Sequence, residues 1–363
     1  MAGDSRPVAL ITGTISPYRR EPFRLLGQDV ALEVLAYEDT GPPIEGLVTR
    51  GVTQAEAARL VAGGRYRAVV AGLGGRVALP GAYAAARLRG IPFVLWATIW
   101  EHPRTLAHRL SWLPTRHLYR HADAVATYGA HVSRYVERHR GDRGRVFVAP
   151  QAVDVDHFAA PVAPEDREAA RGRAGAGPGQ ALFLFVGRLE AEKGIEVLLE
   201  AWRTAAPAGA RLAFAGTGPL ADKIARQGPT VRSLGYVAAS QLPALYAAAD
   251  ALVLPSVATA TFREPWGLVV NEAMLQHTPV IASDAVGAAA AGLVDDGRTG
   301  LVFPAGDAGA LGERIGRLTT DVQAREEMAV RGRTAALALD PAGWARGMRS
   351  ALDSVLTARG ATC

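Results

Sequence analysis

Cysteine is almost missing from this chain of 363 residues, and its single copy is the terminal Cys363. No intrachain disulfide and no thiolate metal cluster can form, which fits a reducing compartment best. Long apolar runs are missing too, and none approaches the roughly 18 residues that would span a bilayer. The opening MAGDSRPVALITG holds only a strand-length apolar run, without the longer apolar region and small-residue cleavage site of a secretory leader. A strong excess of one charge is also lacking. A formal net charge of +5 is weak support for an anionic partner, and nucleic acid is not expected. What remains is a globular composition, 49% hydrophobic, long enough for two cores. The expected location is the cytoplasm.

Short apolar runs bounded by Gly or Pro alternate with longer alanine-rich stretches. In the first half these runs are Val8–Thr12, Leu32–Ala36, Ala68–Gly72, Pro92–Trp96, Ala124–Thr127 and Val146–Ala149. In the second half they are Ala181–Val186, Arg211–Gly216, Ala251–Pro255, Pro279–Ser283 and Gly300–Phe303. Each reads as a buried parallel strand, because a strand covered on both faces need not alternate polar with apolar. Helical patterns such as Ile195–Trp202 and Ala308–Leu318 lie between them. The rhythm predicts two doubly wound, Rossmann-like parallel sheets whose strand C-termini face a common cleft.

The proline-rich Ala149–Pro164 has no helical period and marks the junction. Residues 1–155 form the expected first domain and 156–340 the second. The amphipathic 341–363 segment, with Trp344 and Met348 on one face, is expected to cross back to the first domain. Asp154 and Asp156 imitate an acidic metal motif, but they sit in this junction and read as hinge structure. No metal site is expected, and AGTGPL lacks the third glycine of a dinucleotide fingerprint.

The densest chemical signal is TFREPWGLVVNEAM. Gly267 ends a turn, and the following helix would present the amides of Gly267, Leu268 and Val269 to a phosphate. Glu264 lies in the preceding loop and Glu272 about one turn into the helix. Carboxylates suit sugar and ribose hydroxyls because each accepts several hydrogen bonds. A second signal, FVGRLEAEKG, puts Arg188 and Lys193 in a strand-to-helix loop, where two cations can stabilise a leaving diphosphate. Taken singly, the glutamates are equally readable as a cap and a solvated helical charge, and a lone arginine or lysine reads first as a solvated charge.

Together, FVGRLEAEKGIEVLLEAW, AGTGPL, LGYV, LYAAADALVLPS, EPWGLVVNEAM, PVIASDAVGAA and LVDDGRTGLVFPAGD resemble the nucleotide-binding domain of retaining glycosyltransferase family 4, which has the GT-B fold. The resemblance covers about 180–310. It implies that Glu264 binds donor-sugar hydroxyls, Glu272 the ribose, and Arg188 with Lys193 the diphosphate. It also places the backbone around Tyr236 and Val237 against the base, with Gly216 and Gly218 lining the same pocket. The sequence departs from the family at Trp266, where Phe is commoner, and in the insertion-like Val257–Phe262.

In the first half, the resemblance implies that Gly13 lets backbone approach the donor diphosphate and that His102 touches the donor sugar. Tyr18, Arg19 and Arg20 are candidates for an acceptor. The segment 103–119 mixes arginines with leucines. It fits an amphipathic helix packed on the first sheet, the favoured reading, or a peripheral contact at the inner face of a membrane. The implied reaction is retaining transfer from a nucleotide-sugar substrate, with uracil as the expected base and no cofactor. The acceptor is a glycan, a lipid-linked molecule or a small molecule. A non-catalytic nucleotide-sugar-binding protein and a glycoside hydrolase using Glu264 and Glu272 are the rivals.

Overall fold

A computed structural model of the chain describes residues 4–141, 144–205 and 207–360. Cys363 lies outside the described residues. The chain divides into two units, Val153–Leu339 and the remainder, in which residues up to Ala152 join those from Asp340 onward.

The first unit is built on seven parallel strands: β1 (Val8–Thr14), β2 (Leu32–Asp39), β3 (Val48–Gly51), β4 (Ala68–Gly72), β5 (Phe93–Ala97), β6 (Ala124–Thr127) and β7 (Val146–Val148). Their order is β3-β2-β1-β4-β5-β6-β7. β5 and β6 are buried along their whole length and β4 in all but its last residue, as continuous apolar runs require. Helix Pro341–Gly360 belongs to this core: Trp344 packs 5.4 Å from both Phe23 and Trp96, and Met348, Ala351 and Leu352 are buried with it.

The second unit has six parallel strands: β8 (Ala181–Val186), β9 (Ala210–Ala215), β10 (Val231–Gly235), β11 (Ala251–Leu254), β12 (Val280–Ser283) and β13 (Gly300–Phe303). Their order, β10-β9-β8-β11-β12-β13, again reverses direction beside the first strand of the unit. Ligands of open parallel sheets bind outside the strand C-termini at this reversal, here between β8 and β11. Helix Ile195–Ala205 buries Ile195, Leu198, Leu199 and Trp202 on one stripe. Helix Ala308–Thr320 buries Leu311, Ile315 and Leu318 and is capped by Asp307.

Two strands have no counterpart among the apolar runs, β3 (VTRG) and β10 (VRSLG). Both are sheet edges, largely accessible along one side, so neither needs a continuous apolar run. The junction also corrects the expectation of no helix there. Val155–Phe158 forms one turn, with the Asp154 side chain accepting from His157 N at 3.0 Å. The acidic pair therefore includes a helix cap.

Candidate active site

Beside the reversal of the second sheet, on the β9 side of β8, the ends of β8, β9 and β10 enclose a cavity of about 320 Å³, lined by residues including Val186, Gly187, Arg188, Gly216, Tyr236 and Val237. The two strands end flush, with Val186 opposite Ala215. Their loops are then joined by backbone hydrogen bonds: Leu189 N donates to Thr217 O at 2.8 Å, and Leu220 N to Leu189 O at 3.0 Å. This approach requires glycine. A Cβ on Gly216, at φ +151°, would stand 1.8 Å from Gly187 O, and one on Gly218 would stand 2.6 Å from Leu189 O. Tyr236 is 78% exposed beside the cavity and offers an aromatic face to a planar ligand.

The two expected phosphate cations have different surroundings. Arg188 lines the cavity, is 61% exposed, and is held by Glu190 at 2.5 Å and Glu192 at 3.5 Å. Lys193 is buried deeper and pairs with Glu264 at 2.5 Å, with its ammonium 5.0 Å from the Phe262 ring. Ser256 Oγ donates to the same Glu264 oxygen at 3.1 Å. Glu264 lies in the loop before the helix, as expected, and is only 7% exposed. Its loop is pinned to the end of β12, where Gly287 N donates to Glu264 O at 3.1 Å and Ala288 N to Trp266 O at 2.8 Å. Ser256 and this pairing carry no local sequence signal, since Ser256 stands eight positions before Glu264 and Lys193 stands 71 positions before it.

The departure at Trp266 has a local explanation. Its indole Nε1 donates to the Oδ1 of fully buried Asn271 at 2.8 Å, a bond that phenylalanine could not make. The pair ties the turn at Gly267 to the first turn of helix Val269–Leu275. Gly267, Leu268 and Val269 lie at this junction, with Val270 N already bonded to Gly267 O at 2.9 Å.

Glu272 projects from the same helix and accepts a 2.6 Å bond from Tyr246 OH. Burial pushes its carboxyl up to about 7, against the opposing pull of the Tyr246 hydroxyl and the nearby His157. A group raised in the folded state stabilises the fold fully below its unfolded value near 4.5, and that contribution is lost as pH rises through about 7. Glu272→Gln keeps the Tyr246 bond and removes the charge. It should melt higher than the parent at pH 8, by up to about 3 kcal/mol in unfolding free energy, and gain little at pH 4.5. Denaturant titrations at the two pH values test this, and an equal difference at both would disprove it.

In the first unit the expected acceptor arginines serve their own chain. Arg19 points inward, donating to Tyr128 OH at 2.9 Å and Thr12 Oγ1 at 3.2 Å while covering the Trp96 ring at 4.7 Å. Arg20 donates to Pro42 O and Pro43 O, each at 2.6 Å. Tyr18 is partly exposed beside them. The space next to Gly13 is taken by the Glu38 carboxylate, 3.0 Å from where a Cβ would stand and bonded to Thr14 Oγ1 at 3.1 Å. Any diphosphate approaching Gly13 therefore meets a negative charge. His102 Nε2 is bonded to His108 O at 2.7 Å, so Nε2 carries the proton. Its Nδ1 is buried without a hydrogen-bond partner, and the ring packs 5.0 Å from Trp112.

Residues 180–321 match the family model described as glycosyl transferases group 1. A D-inositol 3-phosphate glycosyltransferase of Paenarthrobacter aurescens is 31% identical over 252 residues, covering 64% of this chain and 57% of that protein. The alpha-D-kanosaminyltransferase of Streptomyces kanamyceticus is 29% identical over 287 residues, covering 74% and 71%. The chain spans little more than half the length of the D-inositol 3-phosphate glycosyltransferases it matches. In fold it is similar to Anabaena HepE in complex with UDP and glucose, with TM-score 0.75, 20% identity, and coverage of 96% of this chain and 100% of that one. Sucrose-phosphate synthase from Thermosynechococcus elongatus gives TM-score 0.75 at 21% identity, with coverage of 97% and 100%. The chain thus carries a group 1 glycosyl transferase domain over residues 180–321, within a GT-B fold of two all-parallel sheets.

Proposed function

We propose that the chain transfers a sugar, with retention, from a UDP-sugar to an acceptor hydroxyl. The observation that carries this reading is the 320 Å³ cavity at the C-terminal ends of β8, β9 and β10, which has an exposed aromatic ring and an exposed arginine on its lining. The base would lie against Tyr236 and Val237, and Glu272 would take the ribose hydroxyls. Arg188 would hold the diphosphate together with Lys193 and the amides of Gly267, Leu268 and Val269. Glu264 would take the sugar hydroxyls. His102 would contribute through Nδ1, the ring nitrogen left as an acceptor. On the acceptor side the reading narrows to Tyr18, because Arg19 and Arg20 are bonded within their own unit.

Breaking the bond between the anomeric carbon and the diphosphate oxygen leaves charge on the diphosphate. Fixed cations lower the barrier to that step because they need no reorganisation as the charge develops. The reading assigns this work to arginine and lysine and requires no metal ion. The solved HepE complexes hold UDP, and UDP-glucose in one case, which supports the choice of uracil.

Calorimetric titration of UDP, GDP and uridine into the protein and into Arg188→Ala tests the assignment. UDP should bind more tightly than GDP, without added metal. The variant should lose about 10- to 100-fold in UDP affinity and little for uridine, the size expected of charge-assisted hydrogen bonds. Equal losses for UDP and uridine would remove Arg188 from the diphosphate site. Failure of any nucleotide to bind would sink the transferase reading.

A further inference from the structure

Helix Leu106–His121 in the first unit has two distinct faces. The inner face is packed: Leu118 and Tyr119 are buried, and Trp112 lies 5.0 Å from His102 and 4.7 Å from His139. The outer face is apolar and open, with Leu106 78%, Leu110 82% and Leu113 70% exposed. Spacings of four and three residues place these leucines in one stripe. Other exposed large apolar residues, such as Val77 and Leu88, do not form three within two turns of one helix face, and scattered singles need no explanation.

Charge selects the occupant. At 100° per residue, the exposed Arg109, Arg116 and Arg120 fall together on one flank of the stripe. No carboxylate lies between Pro103 and His121. Arg104 is set aside because it is paired with Glu101. An apolar stripe alone would fit a protein groove, whereas leucines flanked by unbroken cationic charge match an anionic lipid surface. Among the described residues no helix is long and apolar enough to cross a membrane, so this one would lie in the interface.

We propose that the outer face of helix Leu106–His121 docks on an anionic lipid bilayer. Resting on the transferase reading, this narrows the acceptor to a molecule carried by a lipid. The leucines insert among the acyl-chain ends, and the arginines meet the headgroup phosphates.

Vesicle flotation of the full chain tests the docking without any turnover, so its failure would leave the transferase reading intact. The protein should float with vesicles containing about one-third phosphatidylglycerol in phosphatidylcholine and stay behind with phosphatidylcholine alone. Leu110→Glu with Leu113→Glu should reduce partitioning by at least about tenfold. Arg109→Gln with Arg116→Gln should reduce it by about fivefold per arginine and flatten its salt dependence. Both pairs should keep the parent circular dichroism because the side chains are exposed. Leu110→Ser alone, with an intermediate loss, covers the case in which the double glutamate misfolds. Absence of flotation, equal flotation on neutral vesicles, or indifference to the leucine changes would overturn the proposal. A dimer that the leucine changes dissociate, with no flotation, would assign the face to a second copy and overturn it too.

Discussion

Glu264→Ala is expected to cut sugar transfer by about 100- to 1,000-fold, the scale of losing one charged or hydrogen-bonding group aimed at a transition state. It is also expected to destabilise the protein. Glu264 is the partner of Lys193, whose side chain is 14% exposed, and removing it leaves an ammonium buried beside Phe262. Stranding one member of a buried pair costs about 3 kcal/mol or more. The two effects separate in a cycle with Lys193→Ala: the double variant should recover much of the lost stability and none of the lost transfer. Glu264→Gln, which keeps the shape and an acceptor for Ser256, should melt nearer the parent and still transfer poorly. Turnover measured well below each variant's melting temperature decides the matter. Near-parental transfer by Glu264→Ala would place Glu264 outside the site, and unchanged melting would contradict the pairing.

Gly216→Ala should do damage of a different kind. The added methyl would meet the Gly187 carbonyl at 1.8 Å, backbone against backbone, at a φ of +151° that side chains rarely adopt. No rotamer can relieve that contact. The β8 and β9 loops must separate, breaking the Leu189-to-Thr217 hydrogen bond and deforming the wall of the cavity. A loss of about 3 kcal/mol in stability is expected from strain and clash together, with UDP binding lost or severely weakened. Gly228→Ala is the control, since a Cβ there meets nothing within 4 Å. It should melt and bind as the parent does. A Gly216→Ala protein with parental melting and parental UDP affinity would mean that the loops do not approach as described.

Much of the fold was legible because central parallel strands must be apolar along their whole length. Ala181–Val186 and Ala251–Leu254 are so for that reason. The edges β3 and β10 were not legible, because a strand accessible along one side tolerates VTRG and VRSLG. In the candidate site, FVGRLEAEKG and EPWGLVVNEAM marked Arg188, Lys193, Glu264 and Glu272 as candidates through residue type and spacing. Gly216, Tyr236 and Val237, which the family resemblance implied to lie together, do line one cavity, although LGYV begins inside a strand that the apolar runs do not show.

The sequence alone determined which loops carry charge, carboxylate and glycine, because these follow from residue type and from periods of two and 3.6. Partnership was decided only by tertiary structure. That Lys193 faces Glu264, that Arg19 turns inward under Tyr128, and that Glu38 stands beside Gly13 all depend on contacts between segments distant in the chain. The helix at 106–121 makes the same division. Its pattern shows two apolar faces, and only the packing of Trp112, Leu118 and Tyr119 determines which one is buried and which is left to solvent. Local periodicity says how side chains are arranged around an element, whereas the choice of neighbour is made by the folding of the whole unit.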